Sequence, residues 1–360
     1  MNSRRLSIVI LGLSITSSWG NGHATTYRGL VRSLADRGHH VLFLERDVPW
    51  YAENRDLPRP PYGKTVLYSG LRDLKSRFSE EVRTADLVMV GSYVPEGVAV
   101  GEWVTSSTRG KAAFYDIDTP VTLAKLERGD TEYLSADLIP RYALYLSFTG
   151  GPLLDRIERE YGSPMARPLY CSVDTSSYLP LACERKWGLG YLGTYSDDRQ
   201  PRLDRLMLQP ARLLRRERFV VAGSLYPDTI GWPPNVEKVG HLSPAHHGSF
   251  YNSMKFTLNI TRADMVRAGY SPSVRLFEAA ACAIPVISDY WEGLDTFFTP
   301  GAEILLSSSA ADTVRYLKEM GEEELRSIGE RARARVLAGH TAAHRAGELE
   351  RLINGTCVEP

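Results

Sequence analysis

Residues 6–38 read LSIVILGLSITSSWGNGHATTYRGLVRSLADRG. They begin with a short apolar run, which is typical of a strand buried on both faces of a parallel sheet. A loop containing Gly20 and Gly22 follows, and a helical pattern then runs to Gly38. The apolar positions of that helix are Tyr27, Leu30, Val31 and Leu34. A strand, a glycine turn and an amphipathic helix in this order predict the first half of a βαβ unit.

Strand-like and helical segments alternate along the rest of the chain. Strands are predicted at residues 39–46, 85–94, 111–118 and 144–151, and, after a connector at 168–181, at 189–192, 218–226, 236–242, 256–261 and 284–290. Helices are predicted at residues 202–214 and 272–283 and within 310–353. Regular alternation of this kind indicates an α/β fold with doubly wound, Rossmann-like parallel sheets.

The connector suggests how the chain is divided. We predict an N-terminal Rossmann-like domain in residues 1–172 and a C-terminal one in residues 173–335. A C-terminal helix in residues 336–360 is expected to pack back on the N-terminal domain. Doubly wound sheets bind ligands beyond the carboxyl ends of their strands, so the two domains are expected to face a cleft.

Charge and composition exclude several classes of protein. Lys plus Arg and Asp plus Glu are balanced at 43 each, so no general attraction to nucleic acid or to an anionic membrane is expected. No apolar stretch is long enough to span a bilayer. The first residues, MNSRRLSIVILGLSI, imitate a signal peptide, but no A-x-A cleavage site follows, and we interpret the apolar run as a strand.

The cysteines form no CxxC pair; they are Cys171, Cys183, Cys282 and Cys357. Isolated cysteines of this kind favour reduced thiols in a cytoplasmic protein and argue against a zinc site.

Residues 269–298, GYSPSVRLFEAAACAIPVISDYWEGLDTFF, combine a helix start with charged residues. A helix beginning near Ser271, with Pro272 and Ser273 in its first turn, would direct its amide end at an anion such as a diphosphate. Arg275 could hold the same phosphates with its planar fork, and Glu278, on the same helix face, could accept two ribose hydroxyls. The alternative is a surface Arg–Glu pair without a ligand.

This segment resembles the donor-binding segment of nucleotide-sugar glycosyltransferases, in which a glutamate, small residues, Pro-Val-Ile and a Gly/Glu loop recur in that order. The sequence resembles most closely the CgeB-like (spore maturation protein) glycosyltransferase family, over residues 14–306. The other stretches that carry this resemblance are TSSWGNGHATTYRGL, LERDVPWY, VGSYVPEGVAVGEW, FYDIDTPVTLAKL, YLSFTGGP, YLGTYSDDRQP and LNITRADM.

The resemblance implies the glycosyltransferase B (GT-B) architecture, a nucleoside-diphosphate sugar as donor, and a donor site in the C-terminal domain. One residue departs from the pattern. Related retaining enzymes have a second glutamate eight positions before the ribose-binding one, where this chain has Tyr270. A retaining mechanism that depends on that carboxylate is therefore in doubt.

Further loops are candidates for the donor site. Gly193 and Thr194 follow a predicted strand, and Arg199 could reach a phosphate, although a surface loop with a salt-bridged arginine is equally compatible. The resemblance places His241 where related enzymes hold the nucleotide base through the backbone. It also places Glu292 and Gly293, with Trp291 and Leu294, in a turn whose amides hold sugar or phosphates.

The loop Gly20-Asn21-Gly22 lets the backbone approach a ligand closely. It is not GxGxxG, and Glu45 and Asp47 match the expected acid of a dinucleotide site only loosely. The loop instead resembles the GGH-type loop of inverting glycosyltransferases. There, His23 would remove the proton of the acceptor hydroxyl, work that suits an imidazole because its pKa lies near neutrality. A helix-capping or a ligand-binding role for His23 is the alternative.

Asp116 and Asp118 are the rival candidates for the base, or for a partner of His23. Both are predicted at a strand end, where residues two apart share a face, so they could also hold Mg²⁺ or Mn²⁺. The doubly wound domains argue against that use, since helix ends and arginines can balance a diphosphate without a metal.

The remaining histidines and exposed aromatic residues are given lesser roles. We expect His246 and His247 to face solvent and His39 and His40 to be structural. Aromatic residues that could line the acceptor side, or belong to the core, are Trp50, Tyr51, Tyr93 and Trp103.

The sequence thus predicts a cytoplasmic, metal-independent glycosyltransferase without a resident cofactor, inverting through His23. Its partners would be a nucleotide-sugar donor and a small-molecule, glycan or protein acceptor, but not nucleic acid. A nucleotide-sugar epimerase of the same fold, an NAD-dependent oxidoreductase and a non-catalytic sugar-nucleotide binding module remain alternatives.

Overall fold

The computed structural model describes residues 4–355 and divides the chain into two compact units. The first unit contains the residues up to Cys171 together with those from Ala342 onward, and the second is Ser172–Thr341. The boundary placed after residue 335 falls inside a continuous helix, Glu322–Gly339, so the change of unit comes later than the sequence suggested. Cys357 lies outside the described residues.

The first unit is a parallel sheet with helices between its strands. Its strands, numbered along the whole chain, are β1 (Ser7–Gly12), β2 (His40–Arg46), β3 (Lys64–Tyr68), β4 (Leu87–Gly91), β5 (Lys111–Asp116), β6 (Leu144–Ser147) and β7 (Ala166–Pro168). Its helices are α1 (His23–Asp36), α2 (Pro49–Ala52), α3 (Leu71–Thr84), α4 (Gly97–Ser107), α5 (Thr119–Glu127), α6 (Pro152–Tyr161) and α14 (Ala342–Asn354).

The strand order in this sheet is β3-β2-β1-β4-β5-β6-β7, and every pair of neighbours is parallel. β1 lies between β2 and β4, and its residues Ile8 to Leu11 are buried, which confirms the strand interpretation of the N-terminal apolar run. The order reverses between β1 and β4. The loops after these two strands therefore leave the carboxyl edge at the point where doubly wound sheets bind ligands.

α14 packs on α1 and is joined to the amino-terminal edge of the sheet through the buried Glu350. This carboxylate accepts hydrogen bonds from the Arg37 guanidinium and lies 2.5 Å from Nε2 of His39. Nδ1 of His39 in turn accepts the backbone N–H of Leu6 at 3.1 Å. The predicted structural role of His39 is thus a link between β1 and the last helix, whereas His40 is exposed at the start of β2.

The second unit repeats the plan with a smaller sheet. Its strands are β8 (Trp187–Leu192), β9 (Phe219–Ala222), β10 (Val236–Val239), β11 (Met254–Asn259), β12 (Val286–Ser288) and β13 (Leu305–Leu306), in the parallel order β10-β9-β8-β11-β12-β13. Its helices are α7 (Gln200–Leu203), α8 (Gln209–Leu213), α9 (His247–Asn252), α10 (Ala263–Ala268), α11 (Val274–Ala281), α12 (Ala310–Glu319) and α13 (Glu322–Gly339).

Most predicted elements are present, with local differences. β3, β7 and β13 were not predicted, because they are short outer strands whose residues do not form long apolar runs. The helix predicted over residues 202–214 is interrupted by a π-helical turn at Asp204–Leu208, which ends just before Pro210. Proline cannot donate the backbone hydrogen bond that a regular helix needs there. Among residues 4–355, no helix has the length and apolar character needed to cross a membrane.

Replacement of Glu350 tests the link to α14. Glu350→Gln should lower the free energy of unfolding at neutral pH by about 1–3 kcal/mol, since it weakens the charged acceptor shared by Arg37 and His39. The Arg37 hydrogen bond holds the pKa of Glu350 below its usual value. Its contribution is therefore complete above the usual carboxyl pKa and is lost as the pH falls through the lowered one.

The measurement is chemical denaturation of the wild type and the variant at neutral and acidic pH. Glu81→Gln, an exposed change on α3 in the same unit, is the matched control and should be nearly neutral. Equal stabilities of the wild type and Glu350→Gln at neutral pH would contradict the assignment.

Candidate functional site

Arg275 lies at the reversal of strand order between β8 and β11 in the second unit. Nε of its guanidinium donates to the carbonyl of Leu192, the last residue of β8. Nη1 donates to Oδ1 of Asn259, the last residue of β11, at 3.0 Å, and to Oγ of Ser273 at 3.2 Å. The side chain is only 8% exposed. A permanent positive charge is therefore fixed at the carboxyl edge where such sheets bind ligands.

The helix that carries Arg275 begins later than predicted. α11 starts at Val274, after Ser273 in an extended conformation (φ −85°, ψ 141°). Pro272 therefore lies before the helix rather than in its first turn, and so does Ser271. The late start follows from the extended conformation of Ser273, which makes it the N-cap residue.

Glu278, one turn further along α11, is 3% exposed and accepts a hydrogen bond from the Tyr251 hydroxyl at 3.1 Å. Arg275 and Glu278 are both buried and each has other partners. The alternative of a surface Arg–Glu pair is therefore wrong. A buried carboxylate needs hydrogen-bond donors, and Tyr251 is one of them.

Gly193 lies against Arg275. A Cβ atom placed at Gly193 would be 2.9 Å from Nη2 of Arg275, and one placed at Gly223 would overlap the carbonyl oxygen of Gly193. Gly223 therefore requires glycine, whereas a side chain at Gly193 would displace the guanidinium of Arg275. The neighbouring Arg199 donates from Nη2 to the carbonyl of Thr194 at 2.6 Å, while its buried Nε has no hydrogen-bond partner within residues 4–355.

Tyr270 and the loop after β12 are closely joined. The Tyr270 N–H donates to the carbonyl of Glu292 at 2.6 Å, and Gly293 has a φ of 84° with the Tyr270 ring directly over it. An aromatic ring thus occupies the position at which the resemblance expects a carboxylate. Trp291 is buried in the core beside this loop, and His241 is exposed in the loop after β10.

In the first unit, Glu45 holds the loop that precedes α1. This fully buried carboxylate accepts the N–H groups of Ile15 (2.7 Å) and Thr16 (3.0 Å) and the Thr16 hydroxyl (2.6 Å). Asp47 instead pairs with Arg55 at 2.5 Å. Both acids are engaged within the protein, so neither supports the dinucleotide-binding alternative.

Asn21 caps α1. Its Oδ1 accepts the N–H of Ala24 at 3.2 Å, and its Nδ2 donates to the carbonyls of Ser17 and Trp19. A capping role for His23 is therefore not needed, since Asn21 performs it. Gly20 has a φ of 68°, which glycine adopts readily. Gly22 directly precedes the helix.

His23, the first residue of α1, is 6% exposed, and its Nδ1 has no hydrogen-bond partner in the described part of the chain. The Tyr93 ring contacts it edge to face, with centroids 5.5 Å apart. Burial lowers the pKa of His23, and the charge of Asp118 partly opposes this effect. The imidazole is therefore held neutral near pH 7, with one nitrogen available to accept a proton.

Asp116 is engaged in the interior. It accepts hydrogen bonds from the Tyr145 hydroxyl (2.5 Å) and the Thr122 hydroxyl (2.8 Å), and burial raises its pKa to about 6. β5 ends at Asp116, so the expectation that Asp116 and Asp118 share a strand face is wrong. Within residues 4–355, no group of three or more His, Cys, Asp and Glu side chains could hold a metal ion.

The other predicted residues differ in their surroundings. His246 is exposed, but His247 is half-buried and hydrogen-bonded on both ring nitrogens, so the expectation that it faces solvent is wrong. Trp103 belongs to the core, whereas Trp50 is 53% exposed on α2. The contacts of His247 could not be predicted, because Tyr178 is distant in the sequence and Leu242 lies in an irregular loop.

Comparison with known proteins agrees with this geometry. Residues 199–351 match the family model described as glycosyl transferase-like. Among solved structures, sucrose-phosphate synthase from Thermosynechococcus elongatus has 15% identity and a TM-score of 0.72, over 98% of this chain and 100% of that one. Anabaena HepE in complex with UDP-glucose has 12% identity and a TM-score of 0.72, with the same coverage.

An alpha-glucosyltransferase in complex with UDP-glucose and DNA containing an abasic site has 12% identity and a TM-score of 0.69, over 98% of this chain and 100% of that one. No curated protein sequence matches the chain. The fold is therefore that of the GT-B glycosyltransferases, with two parallel-sheet α/β domains.

The predicted enzyme class, a glycosyltransferase, is confirmed at the level of the glycosyl transferase-like family model that residues 199–351 match. The narrower CgeB-like resemblance stays a prediction.

Alanine substitutions at two glycines separate two effects on stability, that of the left-handed backbone conformation and that of the contact with Tyr270. Gly293→Ala imposes an unfavourable left-handed conformation and also drives a methyl group into the Tyr270 ring. Gly301 has a φ of 77° and open space around it. Gly301→Ala therefore imposes only the unfavourable conformation, which should lower the free energy of unfolding by about 1–2 kcal/mol. We expect Gly293→Ala to be clearly the less stable variant in thermal denaturation. Equal destabilisation would contradict the close Tyr270–Gly293 contact.

The pKa of His23 can be measured directly. NMR of the ring protons, assigned with His23→Asn, should give a pKa below 6.5, and Asp118→Asn should lower it further by removing the opposing charge. Because the unfolded chain binds the proton more readily, His23 should reduce stability as the pH falls below 6.5. A pKa that rises in Asp118→Asn would contradict the electrostatic contact.

Proposed function

We propose that this protein transfers a sugar from a uridine diphosphate sugar to a hydroxyl group of an acceptor. The observation that carries the proposal is the buried guanidinium of Arg275 at the strand-order reversal of a glycosyl transferase-like domain. UDP is named because it is present in solved structures of similar fold, HepE and the alpha-glucosyltransferase.

In this proposal the diphosphate lies near Gly193, to which Nη2 of Arg275 is close. The amides at the start of α11, beside Ser273, contribute partial positive charge, and Arg199 contributes a full one. These groups would balance the charge of the departing UDP, so we infer that no metal and no resident cofactor is required. Glu278 would accept the ribose hydroxyls. Thr194, His241, Glu292 and Gly293 stay predicted donor contacts.

His23 is the proposed base of the first unit. As the acceptor oxygen attacks the anomeric carbon, its proton passes to the imidazole of His23, and the bond from that carbon to the diphosphate breaks. The nearby charge of Asp118 would stabilise the imidazolium that forms. Direct displacement of this kind inverts the anomeric configuration. Asp116 is not proposed as the base, since its oxygens already accept hydrogen bonds.

The acceptor is proposed to be a small molecule, a glycan or a protein. The balanced charge of the chain does not favour nucleic acid, although one structurally similar protein was solved with DNA. A cytoplasmic location stays a prediction.

Variants of His23 and Glu278 test the proposed base and the proposed donor contact separately. UDP at about a hundred times its dissociation constant should stabilise the wild type by about 2.7 kcal/mol. His23→Gln should keep that stabilisation but lose about 10²–10⁴-fold in turnover with a good acceptor. Glu278→Gln should lose most of the stabilisation by UDP. The measurements are thermal denaturation with UDP, GDP, dTDP, ADP, CMP and NAD, followed by transfer assays.

Each alternative has its own outcome. Stabilisation by NAD alone would indicate an oxidoreductase, and conversion of the donor without an acceptor an epimerase. Donor binding without turnover with any acceptor would indicate a binding module. Wild-type turnover in His23→Gln would show that the base is elsewhere, and a product of retained configuration, determined by NMR, would contradict direct displacement.

A further inference from the structure

His247 connects two parts of the second unit that the proposed function assigns to the nucleotide. Nε2 of its ring is 3.0 Å from the carbonyl oxygen of Leu242, in the loop after β10 that also contains His241. Nδ1 is 3.1 Å from the hydroxyl of Tyr178 and 4.0 Å from Oε2 of Glu278. One half-buried side chain thus lies between a loop proposed to hold the base and a carboxylate proposed to hold the ribose.

The partners of the ring define its protonation. A backbone carbonyl can only accept, so Nε2, which faces Leu242, carries the proton. Nδ1 lies within hydrogen-bond distance of the Tyr178 hydroxyl, which also hydrogen-bonds to the carboxylate of Glu278. Burial raises the pKa of Tyr178 well above its ordinary value, which keeps this hydroxyl available as a donor. The two hydrogen bonds of His247 therefore use different ring nitrogens, and Tyr178 connects the ring to Glu278 as well.

The carboxylate of Glu278 is enclosed from the same side. Tyr251, fully buried on α9, donates to Oε2, the same oxygen that faces Nδ1 of His247. Both residues belong to α9, the short helix that His247 begins. A shift of α9 would therefore change the contacts of Glu278 and of Leu242 together.

We propose that His247 is a positioning residue for the nucleotide, which keeps the loop at residues 240–243 and the carboxylate of Glu278 in fixed relation. The base and the ribose are then bound as one rigid unit. This inference rests on the proposed function, in which Glu278 accepts the ribose hydroxyls. His247 itself is not assigned a contact with the substrate.

Four variants separate the parts of this arrangement. His247→Phe keeps the ring but removes both hydrogen bonds, His247→Gln keeps a donor towards Leu242, and His247→Asn keeps an acceptor towards Tyr178. Tyr178→Phe removes only the hydroxyl. His246→Ala, the exposed neighbour, is the matched control. Melting temperatures without a ligand establish that each variant is folded.

The probes are UDP and 2′-deoxy-UDP, measured by calorimetry. His247→Phe should weaken UDP binding about tenfold, the loss expected for a hydrogen bond of about 1.4 kcal/mol. It should also reduce the preference for UDP over 2′-deoxy-UDP, because a displaced Glu278 no longer discriminates between them. His247→Gln and His247→Asn should each restore part of the affinity. In transfer assays KM should rise with little change in kcat.

The results that overturn the inference are distinct from those that overturn the function. A folded His247→Phe that binds both nucleotides as the wild type does, or that loses both by the same factor, would show that the residue is only structural. A wild-type protein that does not bind UDP would contradict the proposed donor, and with it the role of His247.

Discussion

The buried guanidinium of Arg275 organises the carboxyl edge of the sheet in the second unit. It joins the ends of β8 and β11, the two strands between which the order of the sheet reverses. A buried positive charge is costly unless its N–H groups are satisfied, and the carbonyl of Leu192 and the amide of Asn259 satisfy two of the three nitrogens. The third lies beside Gly193, where a side chain would displace it.

Buried carboxylates connect neighbouring elements at the ends of other strands. Glu45 near the end of β2 and Asp116 at the end of β5 each accept several hydrogen bonds from neighbouring elements. In the second unit, Asp289 after β12 accepts both the N–H and the hydroxyl of Thr261, and burial raises its pKa to about 6. The loops at the carboxyl edges are thus held by the protein itself, which favours preorganised rather than induced sites.

The sequence predicted the class of fold because parallel strands buried on both faces leave an unambiguous apolar pattern, as in Ile8 to Leu11. It predicted that Arg275 and Glu278 share one face of a helix, because they are three residues apart after a proline that suits a helix start. It could not predict that Glu45 and Asp116 are engaged internally, because their partners come from distant segments. Nor could it predict the late start of α11, which depends on the conformation of Ser273, or the half-burial of His247.

The return of the chain to the first unit has a consequence for biosynthesis. Residues up to Cys171 are translated before the second unit, yet α14 and the carboxylate of Glu350 that engages Arg37 and His39 are translated after it. The second unit, Ser172–Thr341, is contiguous, and all its strands are translated before α14. Domains generally fold as units during synthesis. In this chain the nascent first unit must remain incomplete, with the surface of α1 that receives α14 uncovered, until the second unit has been made.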